Sequence, residues 1–156
     1  MKAASVKEIK EELNQLTPKQ LVEICLRLSR FKKENKELLT YLLFEAADED
    51  AYVQSVKKVI DQGFEAINTR NYYFIKKGVR KVLKETRKYI RYSPRKDTEV
   101  ELLLYFCRKM KRMNPSMNGS RVLKNLYIRL VESIHKKVEK LHEDLQYDYK
   151  LELQEM

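Results

Sequence analysis

Nine residues between Tyr73 and Arg91 have types and spacing suited to holding a polyanion. Lys76, Lys77, Arg80, Lys81, Lys84, Arg87, Lys88 and Arg91 recur at intervals of one and three, which a helix turning 100° per residue gathers into an arc of roughly 140°. Tyr73 falls in the middle of that arc, where its ring either packs against the preceding helix or, if exposed, offers a stacking surface for a base. Only Glu85 interrupts the charge nearby. Cations this close repel one another unless an anion compensates them, which favours a ligand over a merely solvated, solubilising face. From Arg70 to Arg121 sixteen basic residues stand against four acidic ones, so this third of the chain accounts for more than its whole net charge of +10.

Other chemistry finds weaker support. Glu132-x-x-His135 and Glu139-x-x-His142 have the spacing that di-iron bundles use, but those sites draw their pairs from different helices. Here both pairs lie seven residues apart on one expected helix, so no metal is expected. Cys25 and Cys107 sit among apolar neighbours, the setting of buried inert thiols. The carboxylates of Asp48, Glu49 and Asp50 suit the positive end of a helix dipole. With no phosphate loop, zinc motif or nucleophile elbow present, the chain is expected to be neither an enzyme nor a cofactor binder, the alternative being a metal-dependent enzyme that uses the two Glu-x-x-His pairs.

The elements that must position the basic row are helices. Three glycines and three prolines are few for a chain of 156 residues rich in Leu, Lys and Glu, which gives an all-α class. Ser5 with Glu8, and Thr17-Pro18 with Gln20, form capping signals that open helices. Seven are expected, over 5–15, 18–32, 36–46, 49–69, 71–92, 97–112 and 120–149. The fifth carries the basic row and an apolar stripe of Tyr72, Ile75, Val79, Val82, Leu83, Thr86 and Ile90 at helical spacing. Ser93-Pro94-Arg95 stops it. Short links favour antiparallel αα-hairpins in a HEAT- or TPR-like stack or an irregular bundle, although no consensus recurs at a fixed period. Were the sixth helix to fold back beside the fifth, Arg95, Lys96, Arg108, Lys109, Lys111, Arg112 and Arg121 would extend the patch.

In the last helix Tyr127, Ile134 and Leu141 alternate with Val131, Val138 and Leu145 in a heptad seam. About 30 residues reach ~45 Å, longer than a small domain is wide. Residues 146–156 are therefore expected to protrude, with Leu145, Tyr147, Tyr149 and Leu151 available to another subunit of a homodimer, or left free in a monomer.

The totals bound the rest. A chain of this length buries enough surface to fold as one domain over 1–156. Two cysteines make no disulfide framework and suit a reducing compartment. No apolar run approaches a membrane span, so the chain reads as full-length and cytoplasmic.

The stretches LTPKQLVEICLRLSRFKKENKELLTYLLFE and YYFIKKGVRKVLKETRKYIRYSPRKDTEVELLLYF resemble a bacterial all-helical family of unknown function. The resemblance covers most of the chain and implies a helical-repeat fold, without carrying over any functional residue. The sequence thus leads to the expectation of a non-catalytic helical module whose basic flank engages nucleic acid or an acidic protein surface. Its rival is a scaffold or oligomerisation protein working through the last helix.

Overall fold

Side chains that satisfy otherwise unpaired N–H groups mark where most of the helices begin. The computed structural model describes residues 1–156 as eight α-helices with no strand. Both expected capping boxes form. Glu8 N–H donates to Ser5 Oγ and Ser5 N–H returns a bond to Glu8, while Thr17 and Gln20 do the same one helix later. Asp48, Asn71 and Ser120 accept from Ala51, Phe74 and Leu123 in the same way.

The chain forms two compact units, Met1–Phe44 and Glu45–Met156. The first contains α1 (Val6–Leu13), α2 (Pro18–Phe31) and α3 (Lys33–Thr40). α3 runs on into a π-helical turn, Tyr41–Glu45. One extended residue, Lys32, separates α2 from α3, and Asn35 Nδ2 donates to the Leu28 carbonyl across that corner at 2.9 Å. α2 and α3 pack as a hairpin, yet none of α1, α2 or α3 contains a buried residue. Cys25, expected to be buried, is exposed.

The second unit holds α4 (Glu49–Glu65), α5 (Tyr72–Ile90), α6 (Lys96–Arg112), α7 (Arg121–Val138) and α8 (Glu143–Gln154). α6 lies at its centre, packed against α4, α5 and α7. The run Leu102, Leu103 and Leu104, followed by Phe106, Cys107 and Met110, is almost fully buried, as a helix apolar on most sides must be. Burial alone pushes the Cys107 thiol up to about 12, which makes it the inert cysteine expected. Val56 and Ile60 of α4, Ile75 and Val79 of α5, and Ile134 and Val138 of α7 close the core around it.

Glycines set the approach of α4 to α5. A Cβ on Gly63 would stand 2.9 Å from Val82, and one on Gly78 2.9 Å from Ile67. At the start of α4 the buried Glu49 accepts from Ser93 Oγ and Thr98 Oγ1, both at 2.5 Å, and so ties that helix to the α5–α6 link. Polar pairs fasten α6 to its neighbours: Lys57–Glu101, Lys109–Asp61, Lys137–Glu99 and Arg108–Glu152.

The long last helix does not form as expected. α7 ends at Val138, and Lys140 and Leu141 donate to the carbonyls of Lys137 and Val138, tightening the final turn. Gln146 Nε2 then caps the carbonyls of Glu139 and Leu141, and extended His142 restarts the chain as α8. α8 packs on α7. Tyr149 and Leu153 are buried, so Tyr149 belongs to the core rather than to a protruding interface. Leu145, Tyr147 and Leu151 stay exposed.

Candidate anion-binding face

α5 places its side chains as the 3.6-residue period dictates. Ile75, Val79, Val82, Leu83, Thr86 and Ile90 are buried, occupying roughly 100° of the helix. The cations fill the arc beside them. Lys77, Arg80, Lys81, Lys84 and Arg87 are exposed, Lys76 is half-buried, and none of the six forms an ion pair or a side-chain hydrogen bond. From Lys76 to Arg87 the row extends about 16 Å along the axis, the length occupied by about five phosphates of one strand.

Two expected members differ. The Lys88 side chain is 12% exposed, lies 2.7 Å from Glu85 and sits over the Tyr89 ring, which draws it off the face. Arg91 is exposed but caps the C-terminus of α5 and is not without a partner. Tyr73 is 65% exposed in the first turn, its ring held edge-on against Phe74 at 5.3 Å. Tyr72, beside it, donates to the Ser116 carbonyl and packs against Gly119, which fixes the start of α5 on the α6–α7 link. Arg70 is a further exposed cation in the loop before α5. Helical periodicity could not include it because it precedes the helix.

The cations of α6 do not simply enlarge this face. Arg95 is bound to Asp97, Arg108 to Glu152, Lys109 to Asp61, and Lys111 to the Met156 carbonyl. Arg108, Lys109, Lys111 and Arg112 instead line a cleft of about 830 Å³ with Phe64, Ile67 and Tyr105. Acidic neighbours balance much of that cleft. Burial raises the Asp61 carboxyl, but hydrogen bonds from Lys109 and Tyr105 outweigh it and hold the group below its ordinary value. Burial and the bond to Asp61 push Tyr105 up to about 12. A carboxylate already served by two donors is a structural joint, with little left to offer a ligand. Lys96, Arg112 and Arg121 remain exposed.

Glu132, His135, Glu139 and His142 are all exposed, and the break after α7 sets His142 on a different helix from His135. His142 Nδ1 accepts from the Asp144 N–H as the cap of α8. No group of three or more His, Cys, Asp or Glu side chains is arranged to hold a metal ion. No helix is long and apolar enough to cross a membrane.

No protein-family model matches the sequence, and no match is found among curated proteins or solved structures.

Proposed function

We propose that the protein is a non-catalytic helical binding module that grips the phosphate backbone of a nucleic acid through α5. The supporting observation is the row of exposed, uncompensated cations from Lys77 to Arg87, set on a helix whose adjoining apolar face is locked into the core. The helix backbone that carries the row is already fixed by the core, so binding orders only the side chains. Its length suits consecutive phosphates, and Tyr73 within the same arc supplies a ring for a base of a single strand.

The test is a titration of a fluorescent single-stranded oligonucleotide at several salt concentrations. About five phosphate contacts give a slope of log affinity against log salt near −3.5 to −4.5. A salt-independent affinity would overturn the reading. Binding of polyglutamate as tight as that of the oligonucleotide would assign the face to an acidic protein instead.

A further inference from the structure

α2 is apolar over more of its circumference than one neighbour can cover. At 100° per residue Phe31, Ile24, Leu28, Cys25, Val22 and Leu26 spread over about 220°, where a helix laid on a single core needs a stripe of roughly 100°. α3 supplies one contact. An apolar groove of about 260 Å³ remains between the two helices, lined by Cys25, Leu28, Leu38, Leu39 and Leu42. Val22, Phe31, Leu42, Leu43 and Phe44 are more than half exposed.

Size and area indicate what covers this face. A unit of Met1–Phe44 is close to the ~40-residue limit below which disulfides, metals or oligomerisation are usually needed for a stable fold. Nine large apolar side chains of α2, α3 and the following turn are between 37% and 77% exposed. Taking ~150–200 Å² for each when fully exposed, they present roughly 750–1,000 Å². That total is of the order of the ~800 Å² that each partner contributes to a stable interface.

We infer that this face is the interface of a homodimer, in which the α2–α3 hairpins of two copies pair about a twofold axis into a four-helix bundle. A hairpin is half of such a bundle, and a second copy brings the same apolar surplus at the same concentration. The charge balance permits it. Residues 1–44 hold nine basic and six acidic side chains, so two copies meet here without the repulsion that two α5 faces would impose. No residue of α5 takes part, and this inference stands or falls independently of the nucleic-acid reading.

Sedimentation equilibrium of the full chain at micromolar concentration, without nucleic acid, should give twice the chain mass. Leu28→Glu combined with Leu42→Glu should return it to one chain mass while the helical signal of α4–α8 persists. Thiol titration gives a second readout that does not depend on the variant's N-terminal unit folding. Cys107 is fully buried, so Cys25 alone reports, and in the native dimer it should react at least ~10-fold more slowly than in unfolded chain. A wild-type monomer overturns the inference, whether Cys25 is reactive, leaving the face bare, or protected, giving it to another occupant. A dimer whose Cys25 reacts freely, or which survives the double substitution, places the interface elsewhere and equally overturns it.

Discussion

Replacing Lys77, Arg80, Lys84 and Arg87 together by Gln is expected to weaken oligonucleotide binding about 100- to 1,000-fold at moderate salt and to flatten the salt slope by about 3. These four straddle Tyr73 on the exposed arc and have no intramolecular partner, so their removal takes away counterion release and little else. Lys81 is spared because it also lines the groove between α4 and α5. Stability should hardly change. Gln is nearly as good a helix former as Lys or Arg, and fewer like charges relieve repulsion along the helix. A melting temperature within a few degrees of wild type, read by circular dichroism, accompanies the expected loss. An unchanged slope in a folded variant would detach binding from α5.

Deleting residues 143–156 should have the largest effect on stability. The cut removes the buried Tyr149 and Leu153 and the Arg108–Glu152 pair. Two buried side chains at ~1.5–3 kcal/mol each amount to about 3–6 kcal/mol, a large share of the ~5–15 kcal/mol that holds a domain folded. The unit from Glu45 onwards should melt about 20 °C lower. A truncated chain that melts like the full one would mean that α8 is the free tail its sequence suggests.

That contrast marks the limit of what the sequence makes legible. The all-α class, the capping boxes at Ser5 and Thr17, and the division of α5 into buried and basic arcs can all be read because they rest on local caps and a regular period. The break between α7 and α8 carries neither glycine nor proline. It depends on Gln146 reaching back to two carbonyls, a contact with no signature in spacing. Heptad spacing continues across it through Leu141 and Leu145, so spacing alone predicts one long helix.

The basic face was partly legible. Period alone places all eight cations on one arc, but cannot tell that Lys88 is turned to Glu85 and Tyr89, or that Arg108 and Lys109 answer to Glu152 and Asp61. Such pairings depend on which helices become neighbours. The bare face of α2 left a signal in its apolar width, which a count of apolar spacings passes over because it asks only whether a stripe exists.

The most direct test of the central claim is where a bound oligonucleotide touches the protein. Amide correlation spectra, titrated with a short single strand at low salt, are predicted to shift most along the exposed side of α5, around Tyr73, Lys77, Arg80 and Lys84. Shifts confined to the cleft about Lys111 and Arg112, with α5 unmoved, would contradict the account.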